Sequence, residues 1–565
     1  MILSPEKKIA GVLAPLFALR RENDLGIGDL AALRELIDWA GEVGFGLVQL
    51  LPINEIGGDN SPYNAISATA IEPTTLHFAP GVPVDLARED FDAALAEANV
   101  AYLQSGAIRY RRVKKLKRRL LEKAFANFSV HSREDRQSSF KHFCREESAW
   151  LDDYVLFRSL MEENRGSEAW DEWQPEHRTV HSARAWLDRQ SAEKGVEVSK
   201  RENFFRYVQW IAHQQWREIK SHAEERGIAL MGDIPFGISY YSADVFVRPN
   251  EFALEWCGGA PPEPYFKEDE FTQKWGQNWG IPLYRWDVMR SRNFDWWRER
   301  VRAVRRIFHL FRIDHVLGFY RIYAFPWRPR ENKQFLPLDW NQMLERTHGR
   351  APHFAPRNDE TLKNCEANRR EGAEYLRVVL EEAGVTRVIG EDLGTVPDYV
   401  RPHLRSLGIA GFKIPQWEFY HGRVTPSSEY ERLSVATYAT HDHKPIRKLW
   451  EEAFEHPTST AEQARFELEK IAKFAGFERK GEAIDFERDY YPLMMKALFE
   501  SESWIAVVMI TDLLGRKYRF NVPGTAASSN WTRRMQRTVS QLRASRKERQ
   551  RMQLIRSLLE KTGRV

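Results

Sequence analysis

The stretch Leu33-Arg-Glu-Leu36-Ile37-Asp-Trp-Ala40-Gly-Glu-Val43-Gly44-Phe-Gly46-Leu47-Val48-Gln49-Leu50-Leu51-Pro52 decides the fold class. Leu33, Leu36, Ile37, Ala40 and Val43 recur at helical spacing, and a short apolar run closed by proline follows. A helix leading into a fully apolar strand is the unit from which buried parallel sheets are built. Working outward, short apolar runs recur at 228–234, 308–313, 387–390, 409–414, 434–440 and 504–510, and the first of them follows a helical pattern over 204–226. Strands alternating with helices over hundreds of residues predict an α/β chain, and at 565 residues the expected architecture is a closed (β/α)₈ TIM barrel.

Bulk composition excludes several classes. Hydrophobic residues make up 42% and charged residues 29%, as in a globular, ordered protein. Lys+Arg is 84 against Asp+Glu 80, and the resulting +4 draws the chain to neither nucleic acid nor a membrane surface. The three cysteines, Cys144, Cys257 and Cys365, lie far apart without CxxC spacing, which predicts no disulfide framework and no structural zinc, and suits a cytoplasmic location. Lys7-Lys8 before the apolar run 9–19 imitates an export signal, but Pro15 interrupts the run and Arg20-Arg21 ends it. No segment is apolar for the roughly 18 residues a membrane span needs. The basic run Arg111-Arg112-Val113-Lys114-Lys115-Leu116-Lys117-Arg118-Arg119 reads as a solvated helix face, with a patch for an anionic partner as the alternative. The chain also holds 19 Trp, 19 Tyr and 32 Phe; those placed in Gly- and Pro-rich loops offer surfaces to a flat, amphipathic partner such as a sugar ring.

Chemistry in a parallel barrel sits beyond the C-terminal ends of its strands. Four apolar runs here end in acids: Gly232-Asp233, Arg312-Ile-Asp314-His315, Gly390-Glu391-Asp392 and Thr440-His441-Asp442. A single acid after a strand is ordinarily a helix cap, and Asp392 fits that reading. Four in series point to a site. Strand alternation puts Arg312 and Asp314 on one face, where the arginine keeps Asp314 ionised and oriented as a nucleophile. Glu391 would need a raised pKa to donate a proton at neutral pH. Two carboxyls with split roles, roughly 5–5.5 Å apart, describe a retaining glycoside mechanism, with a third acid, Asp442, stabilising the charge of the transition state. The histidine pairs of a zinc helix and the Asp-rich calcium loop are absent, so a metal site is not expected.

These residues sit within a longer series of motifs. It runs through Pro15-Leu-Phe-Ala-Leu-Arg20, Asp24-Leu-Gly-Ile-Gly-Asp29-Leu30, Gln49-Leu-Leu-Pro52, Ser61-Pro62-Tyr63 and Gly232-Asp233-Ile-Pro235. It continues through Gly259-Ala-Pro-Pro262, Gly276-Gln-Asn-Trp279-Gly280, the three acid-bearing motifs and Asn521-Val-Pro-Gly-Thr525. In this order they resemble the amylomaltases, bacterial counterparts of plant disproportionating enzyme, which are 4-α-glucanotransferases on an amylase-like barrel. The resemblance implies Asp314 as nucleophile, Glu391 as general acid/base and Asp442 as transition-state stabiliser. It places Tyr63, Asp233, Trp279, Arg312, His315, His441 and Asn521 around the glucan, with no cofactor and no metal. It makes 1–565 one catalytic barrel unit, with a helical insertion subdomain at about 86–199 and a loop insertion covering the cleft at about 245–290. The segment 263–275, with Tyr265-Phe266 and Phe271, is longer than the family's usual one, and Lys444-Pro445 is an unfamiliar continuation of the Thr-His-Asp motif.

A covalent glycosyl-aspartate can pass to water or to a sugar hydroxyl, and the residues alone do not choose between them. The resemblance implies transfer of α-1,4-glucan segments between maltodextrin, amylose or glycogen-derived donors and glucose or maltodextrin acceptors, by a monomer or homodimer. An amylase-type α-glucan hydrolase is the alternative. A glycogen- or nucleic-acid-binding protein that has lost catalysis is a third reading, disfavoured by the presence of all three acids.

Overall fold

A computed structural model of the protein describes residues 3–263, 269–384, 386–420, 422–477, 485–523 and 528–565. Tyr265-Phe266 and Gly524-Thr525 therefore lie outside the described residues. Fourteen strands occur among those described. In chain order they are β1 (Ile9–Leu13), β2 (Leu47–Gln49), β3 (Ala229–Pro235), β4 (Phe252–Ala260), β5 (Gln277–Tyr284), β6 (Leu310–Asp314) and β7 (Ile322–Phe325). β8 (His353–Ala355), β9 (Val388–Gly390), β10 (Ala410–Lys413), β11 (Phe419–Tyr420), β12 (Arg423–Val424), β13 (Ser434–Ala436) and β14 (Ile505–Met509) complete the set.

Eight of them close a parallel barrel in the order β1-β14-β13-β10-β9-β6-β3-β2, the (β/α)₈ TIM architecture. Helices alternate with these strands because their caps are written locally. Asp29 accepts the amide of Ala32 and starts the helix Leu30–Val43, and Gly44, in the left-handed region at φ 102°, stops it and releases the chain into β2. The barrel's first strand is the surprise. Ile9–Leu13, inside the run weighed above as an imitation export signal, is fully buried and pairs with both β14 and β2. An apolar run of this length carries no periodicity that separates a central strand from other buried segments.

Between β2 and β3 the chain is helical: Arg88–Ala96, Val100–Gln104, Tyr110–His131, Glu134–Glu146, Ser148–Glu163 and Val180–Glu225. The last of these passes through residue 199 with a break in helical geometry at Lys194. In the basic helix Tyr110–His131, Val113, Leu116, Leu120, Leu121, Ala124, Phe125 and Phe128 are buried. Arg118 pairs with Glu122 and Glu162, and Arg119 with Glu97. Lys117 departs from the expected solvated face: it is 1% exposed, and its ammonium donates to Leu76 O at 2.7 Å, tying the helix to the loop after β2. Burial lowers its pKa to about 8.

The stretch 245–290, expected as a loop, holds strands. β4 pairs antiparallel with β5 and with β7, and β8 extends the sheet. Its glycines allow two backbones to meet: a Cβ on Gly259 would stand 1.8 Å from Gln277 O, and one on Gly276, at φ 102°, 2.2 Å from Ala260 O. A small core of Cys257, Phe271, Trp275, Phe325, Trp327, Phe335 and Met343 fills one side. Most aromatics of 275–286 are thus packing residues: Trp275 meets Trp327 edge-on, and Trp286 stacks on Tyr375 at 4.0 Å. No helix among the described residues is long and apolar enough to cross a membrane.

Candidate active site

A cleft of about 1160 Å³ opens over the C-terminal ends of the barrel strands and includes Asp314, Glu391 and Asp442 in its lining. Tyr63, Trp279, Arg312, His315, His441 and Asn521 line it as well. Asp233 does not reach the surface; its side chain is fully buried beneath Arg312.

Register explains how the first group assembles. β3 and β6 pair with Asp233 beside Arg312 and Pro235 beside Asp314, while β6 and β9 pair with Ile313 beside Gly390. Parallel strands in this alignment set Asp233, Arg312, Asp314 and Glu391 on neighbouring strand ends. Arg312, 4% exposed, donates through Nη1 to Asp233 Oδ2 and to Tyr63 Oη, and through Nη2 to Asp314 Oδ1. Tyr63 donates its hydroxyl to Asp233 Oδ2 at 2.8 Å. Burial pushes the Asp233 carboxyl up to about 6 against the pull of Arg312, and its Oδ1 has no hydrogen-bond partner among the described residues. The single bond from Arg312 leaves Asp314, 29% exposed at its side chain, facing the cleft with Oδ1 engaged.

Glu391 follows β9. Its Oε2 accepts the amide of His315 at 2.8 Å. His315 reaches that position from a left-handed backbone, φ 50°, which a side-chain-bearing residue adopts only under constraint. Burial, reinforced by the charge of Asp314, raises the Glu391 pKa to about 8, although Arg312 and the His315 amide oppose the shift. Burial also holds the His315 imidazole down to about 4, so it is neutral, and Trp279 meets its ring edge-on at 4.8 Å.

Asp442 lies six residues beyond the end of β13 (442 − 436) and is held by other loops. Asn521 donates to Oδ1 at 2.6 Å, and His441 Nε2 stands 3.1 Å from Oδ2. Burial alone would raise its pKa, but His441 and the hydrogen bonds from His441 and Asn521 outweigh it and keep Asp442 well below the usual carboxylate range. His441 is itself stacked on Tyr63, ring centroids 4.9 Å apart.

Several parts of the site were not read from the sequence. Arg519 donates to the carbonyl of Asp442, and Trp531, at φ 62°, packs against Tyr63 and His441. Both follow no apolar run, so strand-exit reasoning has no handle on them. Asp392 is no helix cap, since the next helix begins at Val400. Its buried carboxylate accepts the amide of Phe412 at 2.7 Å and pairs with Arg401 at 3.0 Å, bracing β9 against β10. Lys444 pairs with Glu452 at 2.9 Å, and Pro445 precedes the helix Ile446–Trp450.

The chain is 28% identical over 550 residues to a 4-alpha-glucanotransferase of Chlamydia caviae, covering 94% of this chain and 91% of the relative. It is 28% identical over 551 residues to one of Aquifex aeolicus, with 94% and 96% covered. The fold superposes on an amylomaltase from Streptococcus agalactiae, solved in complex with acarbose, at a TM-score of 0.72 and 22% identity, covering 99% of this chain and 100% of that one. An amylomaltase from Corynebacterium glutamicum gives the same TM-score at 21% identity, covering 99% of this chain and 76% of that one. Residues 14–540 match the family model described as 4-alpha-glucanotransferase, and the chain belongs to that family.

Proposed function

We propose that the protein transfers α-1,4-glucan segments from maltodextrin, amylose or glycogen-derived donors to the 4-hydroxyl of glucose or a maltodextrin through a covalent glycosyl-Asp314 intermediate. The observation that carries this reading is the pairing of β6 with β9, which sets an arginine-anchored Asp314 beside a Glu391 whose burial favours its protonated form. In the first step the carboxylate of Asp314 attacks the anomeric carbon, the glycosidic C–O bond breaks, and Glu391 gives its proton to the departing oxygen. In the second, Glu391 as carboxylate takes the proton of an acceptor hydroxyl, whose oxygen attacks the anomeric carbon and releases Asp314. Asp442, kept ionised by its neighbours, stabilises the oxocarbenium charge in both steps. His441 and Asn521 hold Asp442, Tyr63 and Asp233 hold Arg312, and Trp279 with His315 offers a wall to the sugar.

Transfer prevails over hydrolysis when the acceptor is positioned and the site is shielded from bulk water. The sheet β5-β4-β7-β8 carries Trp279, Gln277 and Tyr323 into the cleft wall and suits both tasks. Incubation with maltotriose alone tests the reading. The expected result is glucose together with longer maltodextrins at a nearly constant number of reducing ends. A steady rise in reducing ends would instead identify an α-glucan hydrolase.

A further inference from the structure

The cleft continues past the carboxylates, and part of its lining has been given no role so far. Beyond β10 and β13 its lining includes Trp417, Tyr420 and Gln463, the last on the helix Ala461–Phe474. Just outside this end stand two more rings, Phe419 on the hairpin β11–β12 and Phe466 on the same helix, 41% and 53% exposed. Trp417 and Tyr420 are 49% and 48% exposed. Large apolar side chains clustered on a surface and continuous with a polar cleft mark a binding face.

These rings are fixed in place. Lys470 lies 5.1 Å from the centroid of Phe419 and 4.2 Å from that of Phe466, and its ammonium also donates to Gln416 O at 3.0 Å. One lysine thus contacts both rings and ties the helix to the loop that leads into the hairpin. Trp417 is braced in turn by His443, ring centroids 4.7 Å apart. Rings held rigid before binding lose little freedom when they are covered. What fits them is a ligand with an apolar face and a hydroxylated edge, which can stack on the rings and hydrogen-bond to Gln463 and Tyr420. Glucose units of an extended α-glucan have that shape, and the chain that places one unit over Asp314 has its continuation leaving the cleft.

We infer that Phe419 and Phe466, both contacted by Lys470, form an outer platform that binds the distal glucose units of long α-glucan chains and sets a preference for long over short substrates. This inference rests on the proposed function and extends the same cleft.

The test uses Phe419→Ala/Phe466→Ala in the full chain, with kcat/KM measured on soluble amylose and on maltotriose. The amylose-to-maltotriose ratio is expected to fall about tenfold, the scale of losing two aromatic contacts. A ratio equal to that of the unaltered protein, or an equal loss on both substrates, overturns the platform. A binding arm in the Asp314→Asn background separates binding from chemistry: Kd for soluble amylose is expected to weaken by about the same factor, and an unchanged Kd overturns the inference. If the unaltered protein proves to self-associate in sedimentation and the double variant does not, while the ratio stays fixed, a second copy of the chain occupies the patch and the glucan platform is wrong. Failure of the unaltered protein to disproportionate maltotriose would defeat the proposed function itself, a different outcome from an unchanged ratio.

Discussion

Arg312, on the floor of the cleft, is 4% exposed and commits its guanidinium to Asp233, Tyr63 and Asp314. Trp279, on the rim, is 38% exposed and meets the floor through the edge-on contact of its ring with His315. The floor is made of barrel strands whose register sets Asp233, Arg312, Asp314 and Glu391 on neighbouring strand ends. The rim is made of inserted segments: the sheet β5-β4-β7-β8 on one side, and the hairpin β11–β12 with the helix Ala461–Phe474 on the other. Groups that must not move by a fraction of an ångström sit where the backbone is held on both sides, and groups that choose among chain lengths sit where sequence can change without disturbing the barrel.

Removing the proton donor should show the largest effect. Glu391→Gln is expected to lower kcat by about 10³–10⁴-fold with natural maltodextrins. In the unaltered enzyme Glu391 must be protonated to act as an acid, so activity should hold below its pKa of about 8 and fall as pH rises through it. The residual activity of the variant should lose that alkaline limb; a limb that survives would assign the titration to another group.

Next in size is Arg312→Ala, which strands Asp233 as a buried carboxyl and leaves Asp314 without its anchor. A loss of about 10²–10³ in kcat is expected, from the removal of one preorganised donor. Urea titration should show destabilisation of about 3–5 kcal/mol, since one partner of a buried pair is left behind. The smallest effect belongs to the rim. Trp279→Ala should raise KM for maltotriose about five- to tenfold and leave kcat within a factor of about two, because the ring contributes contact area and no chemistry. A kcat loss as large as that of Arg312→Ala would erase the distinction between floor and rim.

The same division governs what the sequence disclosed. Asp233, Asp314 and Glu391 were legible because each follows directly on an apolar strand, and alternation alone put Arg312 and Asp314 on one face. Asp442 lies six residues beyond β13, and Asn521, its partner, 79 residues further on. The motif series named both, with Asn521 expected around the glucan, but their contact was not legible, because no local pattern records a contact between loops. β1 was hidden because its five buried residues carry no alternation and no acid at the exit. The sheet at 252–284 looked like loop because the glycines that let two strands touch are the same residues that make turns. Asp392 shows the reverse error: an acid after a strand, with the expected position for a cap, is used instead to brace the neighbouring strand through Phe412 and Arg401.

The covalent intermediate is the centre of this account, and it can be weighed directly. Glu391→Gln, incubated with an activated maltosyl fluoride, should form the glycosyl-enzyme quickly and break it down slowly, because fluoride leaves without an acid while the acceptor lacks its base. Intact-protein mass spectrometry followed by peptide mapping should then find the maltosyl group on the peptide that carries Asp314. Turnover of the fluoride with the label on another residue, or with no adduct at all, would contradict Asp314 as the nucleophile.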